Sequence, residues 1–283
     1  ATQANVDATA AGVTAAGLTT YQKAHLVFML PHSVITVSIV TAMLPALSRL
    51  AHSGDLARVG REIGSTMRLA SAFIIPIAAI LMITGSGLAV LIFGYGAAVP
   101  AQAAIMGQIV SVFMIALLPF TLFYVLLRGF YALEDTRTPF FITLAFSLVW
   151  LVLAVPLFRI VGSGGPQVAS LALAYGVSYW VGMTVSWILL ARRLGGIDSA
   201  RTLKALLRMA AAGAIALLVM LGTRALLVAY VTGLGSQDKG SVLVMVVTVS
   251  AVGTLSYLAA ALLLRIREVS GMIGVVKRRV FKR

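Results

Sequence analysis

Long stretches without charged residues set the strongest limit on how this chain can fold. Residues 69–127 contain no Asp, Glu, Lys or Arg, and residues 24–48 contain none either. A helix needs about 20 apolar residues to cross the hydrocarbon core of a membrane. The longer stretch therefore has room for two such helices and the shorter one for one. Because the apolar runs are continuous rather than alternating, and a helix satisfies its own backbone in lipid, we predict an all-α polytopic membrane bundle.

Four further spans bring the predicted number of membrane helices to seven. They are residues 138–158, 167–191, 205–223 and 241–264. The composition agrees, since 60% of the residues are hydrophobic and only 11% are charged, whereas soluble domains carry about 25% charged residues. The chain has no Cys, which excludes disulfides, thiolate metal sites and a Cys nucleophile.

The distribution of basic residues predicts the orientation of these helices. Of the 22 Lys and Arg residues, 18 lie in one set of alternating loops and in the C-terminal segment. The other side holds only Lys23, Arg159, Arg224 and Lys239. Loops rich in Lys and Arg stay in the cytoplasm, so we predict the N-terminus outside and the C-terminus inside. This asymmetry accounts for the net charge of +14, and we expect no nucleic-acid partner.

The predicted spans divide the chain into four regions. These are an outer loop at 1–20, five spans at 21–195, two additional membrane helices at 196–265 and a basic cytoplasmic tail at 266–283. Within 53–67, apolar residues recur at helical spacing, which predicts an amphipathic helix in the inner interface that leads into the second span. We expect the tail to bind anionic lipid headgroups, or alternatively to be a solvated end that only enforces topology.

The first span carries a stripe of polar residues. At 100° per residue, Tyr21, His25, His32 and Thr36 fall on one narrow face. Polar groups at membrane depth usually face a bundle interior or a wet cavity. One interpretation is that the stripe lines a hydrophilic pathway, and the other is that the two His residues are neutral packing residues held by hydrogen bonds.

Acidic residues are absent from all seven predicted spans. The eight Asp and Glu residues lie in loops or tails, which argues against the intramembrane carboxylates of proton pumps. The sequence shows no paired carboxylates for acid–base catalysis and no cluster of metal ligands. We therefore expect no enzyme activity, no cofactor and no metal site.

The most specific motifs lie on the cytoplasmic side and at the helix ends. They are Leu44, Pro45, Leu47 and Ser48; the 53–67 helix; Pro76; Phe93 and Gly94; and the block Phe130, Tyr131, Ala132, Asp135, Thr136, Arg137, Thr138 and Pro139. In order and spacing over 21–195, the sequence resembles the MurJ (MviN) family of lipid II flippases, within the multidrug/oligosaccharidyl-lipid/polysaccharide exporter superfamily. Residues 196–283 match only as two extra helices.

The resemblance implies a fold of fourteen helices in two lobes, of which this chain would be helices 8–14, the C-terminal half. It implies a partner in the missing N-terminal half, a location in the bacterial plasma membrane and a role in peptidoglycan biosynthesis. The substrate would be lipid II, an undecaprenyl-pyrophosphate-linked disaccharide pentapeptide, moved by alternating access.

The resemblance also suggests roles for two groups of residues. The polar stripe would line the substrate cavity. The charged loop would form a cytoplasmic gate or hinge, through Arg128, Glu134, Asp135, Arg137, Thr138 and Pro139. We expect ion pairs of Arg128 or Arg137 with Glu134 or Asp135, since exposed pairs contribute only about 0–1 kcal/mol and can break and re-form during transport.

Two departures and several alternatives stay open. Many relatives carry an acidic–Arg pair that faces the central cavity, where this chain has His25 and Leu26. The role of a positively charged residue in the cavity therefore falls to His25 or is absent. Trp150 and Ala154 replace the Asn and Asp with which some relatives bind sodium, so we expect no sodium site.

The alternatives are another exporter of the same superfamily, for a different polyprenyl-linked glycan or a drug, and a non-transporting scaffold of cell-wall assembly. A retinal protein is disfavoured because residues 240–264 contain no Lys.

Overall fold

A computed structural model describes residues 17–94, 100–161, 164–231 and 238–271, which are helical almost throughout. The helices are α1 Leu18–Pro31, a π-helical segment His32–Thr36, α2 Val37–His52, α3 Leu56–Phe93, α4 Pro100–Ala132, α5 Arg137–Ile160, α6 Gly165–Arg193, α7 Ser199–Tyr230 and α8 Lys239–Leu263. Within these residues, seven helices are long and apolar enough to cross a membrane, with Leu18–His52 counted as one. The predicted all-α fold with seven candidate membrane helices is confirmed.

Pro31 alters the first span without breaking it. Proline lacks an N–H, and its ring clashes with the carbonyl four residues earlier. The helix responds by widening into the π-helical segment directly after Pro31, as π-bulges commonly do inside longer helices. The span begins at Leu18, inside the predicted outer loop of 1–20, and residues 1–16 of that loop lie outside the described residues.

The predicted amphipathic helix at 53–67 continues into the second span as one helix. Asp55 caps α3, because its carboxylate accepts a hydrogen bond from the backbone N–H of Arg58 at 3.0 Å. From Leu56 the helix continues to Phe93. Its apolar side is fully buried at Val59, Ile63 and Met67. Protein covers this side instead of lipid, because apolar residues of α4 and α6 pack against it.

Helix α3 is the element shared by the two parts of the bundle. It packs against α4 on one side and against α7 and α8 on the other. The crossing with α4 is close: a Cβ on Gly107 would lie 2.6 Å from the carbonyl oxygen of Gly85. Small residues allow this approach, as at many helix interfaces in membranes. The predicted grouping into 21–195 and 196–265 corresponds to α1–α6 and to α7–α8, and the functional meaning of that division stays a prediction.

A buried arginine joins α3 to the C-terminal helices. The Arg68 guanidinium forms ion pairs with Glu268 at 3.0 Å and with Asp198 at 3.4 Å. It also donates a hydrogen bond to the Thr202 hydroxyl at 2.8 Å. The Arg68 side chain is only 7% exposed, so this guanidinium is enclosed by the residues that it connects.

The chain that follows α8 folds back onto the bundle. Ile266 and Val269 are each 2% exposed and pack in a cluster with Met209 of α7 and Ala72 of α3. The tail predicted at 266–283 therefore begins with a docked segment rather than a solvated one, because these two apolar side chains are buried. Residues 272–283, with most of the basic cluster, lie outside the part of the chain that the structure describes.

Candidate functional site

A cavity of about 750 Å³ opens between α1, α5 and α6, near the middle of α5 and α6. It is lined by Tyr21, Gln22, His25 and Leu26 of α1, by Thr143, Phe146, Ser147 and Trp150 of α5, and by Tyr175, Ser178 and Tyr179 of α6. Ligand cavities characteristically combine apolar and aromatic walls with a few polar groups. This cavity has that combination, within helices long and apolar enough to cross a membrane.

His25 and Tyr21 form the α1 side of this cavity. The Nε2 atom of His25 lies 3.4 Å from the Tyr175 hydroxyl. Its ring packs edge-on against Phe113 and Tyr175, with centroids 5.6 Å apart in both pairs. Both His25 and Tyr21 are half-buried. The aromatic cage fixes the orientation of the imidazole and leaves one side of it at the cavity.

Trp150 lines the same cavity. Its indole Nε1 is buried and has no partner among the described residues, although buried Trp N–H groups usually find one. Sequence analysis considered position 150 only as a departure from a sodium-binding pattern, and it missed Tyr175 and Tyr179. Their four-residue spacing places both on one helix face, but an aromatic pair inside an apolar span is usual in a core.

His32 and Thr36 lie deeper in the bundle and do not line the cavity. The His32 ring packs against Phe120 and Tyr124 of α4, with centroids 4.4 and 4.9 Å apart. Thr36 is fully buried, and its hydroxyl lies 3.3 Å from that of Thr121. The predicted stripe thus faces α4 along its length, and only its Tyr21–His25 end borders open space.

The Asp135 carboxylate organises the turn between α4 and α5. It accepts hydrogen bonds from the backbone N–H of Thr138 at 3.0 Å and from the Thr138 hydroxyl at 2.6 Å. It also forms an ion pair with Arg193, at the end of α6. The Thr138 hydrogen bonds, and then the nearby Arg193 charge, hold the pKa of the Asp135 carboxyl below its ordinary value. Asp135 therefore caps α5 and ties it to α6.

The ion pairs expected within the charged loop do not form. In the described residues neither Arg128 nor Arg137 pairs with Glu134 or Asp135. Arg128 instead donates a hydrogen bond to the Tyr124 hydroxyl and lies over that ring, 4.6 Å from its centroid. The reason is geometric: Arg128 precedes the turn by more than one helical turn and meets Tyr124 at the favourable i,i+4 spacing. Arg137 is exposed, and Pro139 is buried in the first turn of α5.

Glu134 lines a second cavity of about 780 Å³, between the end of α2 and the α4–α5 turn. Arg49 and His52 lie on the α2 side of it and Tyr131 on the α4 side. Glu134 has a left-handed backbone, with φ of 56°, which a non-glycine residue adopts at some cost. In the sequence, Arg49 is only one of the basic residues that predict the orientation of the helices. In the structure, Arg49 and Glu134 line the same cavity.

Within the described ranges, no three His, Cys, Asp or Glu side chains come together as metal ligands would. The polar groups of the two cavities suit hydrogen bonding and ion pairing.

The chain is similar to known proteins in sequence and in fold. The family model described as "Lipid II flippase MurJ" matches residues 3–263. "Probable lipid II flippase MurJ" of Buchnera aphidicola subsp. Baizongia pistaciae is 28% identical over 184 residues, which is 65% of this chain and 35% of that protein. The protein of the same description from Thermotoga maritima is 31% identical over 166 residues, covering 58% of this chain and 33% of that one.

A solved structure shares the fold. "Lipid II flippase MurJ, inward closed conformation" superposes with a TM-score of 0.66 at 19% sequence identity, covering 88% of this chain and 47% of the other. The chain thus spans about a third of the length of its curated relatives and about half of the solved structure. The family places it among multi-pass proteins of the bacterial inner membrane. By the extent of the family match, this chain belongs to the lipid II flippase MurJ family.

Proposed function

We propose that this chain is part of a lipid II flippase, in which it forms the C-terminal half of the transporter. The supporting observation is the cavity between α1, α5 and α6, with His25 and Trp150 on its walls, in a chain of this family. On this proposal the protein is a transporter and not an enzyme, and its partners are lipid II and the other half of the transporter.

The chemistry of the substrate explains why such a cavity is needed. The headgroup of lipid II is large, polar and anionic, and an unsatisfied polar group in hydrocarbon costs several kcal/mol. Polar side chains at membrane depth must replace the lost hydration. A cavity of about 750 Å³ suits a ligand of drug-like size, so it can hold only part of a disaccharide pentapeptide. The remaining contacts would come from the rest of the transporter during alternating access.

The cytoplasmic gate is proposed in a narrower form than the sequence suggested. Asp135 is occupied as a helix cap and as the partner of Arg193, which suits a hinge that keeps α5 and α6 together. Glu134 is exposed and faces a cavity with Arg49 and His52. These three side chains would open and close the cytoplasmic side, because exposed pairs are weak enough to exchange partners.

The cavity proposal is tested by depletion and complementation with the full-length protein. His25→Ala and Trp150→Phe are compared with Leu148→Ala, a change at an exposed position of α5 that does not line the cavity. Trp150→Phe keeps an aromatic ring but removes the indole N–H together with the five-membered part of the ring system. We expect both cavity variants to reduce lipid II translocation at unchanged protein level, and the control to support normal growth. Normal translocation by both cavity variants would remove the cavity from the pathway.

The same assay separates the alternatives. If depletion leaves lipid II flipping intact but blocks export of another polyprenyl-linked glycan, the protein is a different exporter of the superfamily. If no transport changes but cell-wall enzymes lose their location, it is a scaffold. Contact of the basic tail with anionic lipids stays a separate proposal, supported by the charge of residues 277–283.

A further inference from the structure

A strongly basic cavity of about 280 Å³ lies between the start of α7 and the chain that follows α8. Five cationic side chains line it: Arg201, Lys204, Arg208, Arg265 and Arg267. The first three follow the i, i+3, i+7 pattern and share one face of α7. The other two come from the turn after α8, so the charges converge from two separate elements.

The turn after α8 is built so that its charges meet α7. Arg265 has a left-handed backbone with φ of 52°, which reverses the chain at the end of the helix. The backbone N–H of Ile266 then donates to the carbonyl of Ala261 at 2.9 Å. Burial of Ile266 and Val269 anchors the turn against the bundle. The positions of Arg265 and Arg267 are therefore fixed by packing.

Few acidic groups compensate this charge. Glu268 is the one acidic residue among those lining the cavity, and it is already paired with Arg68. Asp198 also pairs with Arg68 and lies 3.8 Å from Arg201. The side chains of the four remaining cations form no ion pair or hydrogen bond in the described part of the chain. Bringing like charges together is unfavourable unless an anion shares the site.

We propose that this cavity binds a phosphate group, carried by the headgroup of an anionic phospholipid or by a soluble phosphate compound. The orientation rule requires basic residues on the cytoplasmic side, but it does not require them to surround one cavity. Basic pockets between membrane helices on that side are suited to acidic lipid headgroups. Lys and Arg bind phosphate through charge-assisted hydrogen bonds. The proposal does not depend on lipid II transport.

The test measures ligand binding to the purified full-length protein in phosphatidylcholine nanodiscs. The pocket variant combines Lys204→Gln, Arg208→Gln and Arg265→Gln. The matched control removes three basic residues that are exposed, lie on the same predicted side and do not line the cavity: Arg58→Gln, Arg61→Gln and Arg192→Gln. Dioleoylphosphatidylglycerol is titrated in one arm and inorganic phosphate in the other, with the thermal unfolding midpoint and native mass spectrometry as readouts.

We expect at least one ligand to raise the unfolding midpoint of the wild type and of the control variant. The apparent Kd of the pocket variant should rise at least tenfold, with its midpoint in pure phosphatidylcholine unchanged. A response to phosphatidylglycerol alone assigns the site to a lipid headgroup, and a response to inorganic phosphate assigns it to a soluble compound. Equal loss of binding in the pocket and control variants, or no binding by the wild type, overturns the proposal.

Discussion

Replacement of Arg68 by Met tests how strongly the C-terminal helices are attached to α3. Methionine keeps most of the buried stem volume and removes the guanidinium, so the change isolates the polar contacts. Arg68 holds two carboxylates and the Thr202 hydroxyl in a site where it is only 7% exposed. Without it, Glu268, which is 18% exposed, loses the ion pair with the Arg68 guanidinium.

The expected loss of stability is about 3 kcal/mol. Removing one partner of a fully buried ion pair costs about 3–5 kcal/mol. Roughly half of that applies here, because Glu268 and Asp198 are partly exposed, at 18% and 32%. The charge-assisted hydrogen bond to Thr202 adds about 1.5 kcal/mol. About 3 kcal/mol corresponds to a change of roughly 100-fold in the equilibrium for local opening.

Hydrogen–deuterium exchange of the backbone amides in 199–210 measures this opening. We expect exchange in Arg68→Met to be about 100-fold faster than in the wild type. Arg61→Met, on the same helix at an exposed position, should stay within about 0.5 kcal/mol of the wild type. If Arg68→Met exchanges no faster than Arg61→Met, the ion-pair network does not hold α7 in place.

Three further outcomes follow from other contacts. The pKa of the Asp135 carboxyl is lowered in the folded protein. Its contribution to stability is therefore complete above the ordinary carboxyl pKa of 3.8 and is lost as the pH falls through the lowered value. When the free energy of unfolding is measured against pH, the Asp135→Asn variant should lack this loss of stability at acidic pH. Gly107→Ala should lower the unfolding midpoint, because its Cβ meets the backbone of α3, whereas Gly222→Ala, with nothing within 4 Å, should not. Double-mutant cycles of Thr36→Val and Thr121→Val, read from unfolding in mixed micelles, should give a coupling of about 0.6 kcal/mol, and zero coupling would show that the 3.3 Å contact contributes nothing.

The number and approximate positions of the membrane helices could be predicted because charge and hydropathy are local properties of the sequence. Gaps between charged residues placed the spans, and Pro139 marked the start of α5 within two residues. The 53–67 segment shows the limit of this approach. Its periodicity gave the apolar face correctly, but it could not tell that α4 and α6, rather than lipid, cover that face. Periodicity identifies residues that share a face and not what the face contacts.

The candidate site was predictable in part for the same reason. Tyr21, His25, His32 and Thr36 do share a side of the first span, yet only the first two reach the cavity. The partner of Asp135 was missed because Arg193 lies 58 residues away, and no local pattern encodes that distance. The functional roles of these residues stay predictions until transport is measured.

The length of α3 has a mechanical consequence. At about 1.5 Å per residue, its 38 residues extend for about 57 Å, well beyond a hydrocarbon core of about 30 Å. A rod of that length acts as a lever, so tilting it by about 10° moves one end by about 10 Å relative to the other. Apart from each other, α7 and α8 pack chiefly against α3, so they would move with it when it tilts. A spectroscopic label on α7 would therefore report the tilt angle of α3.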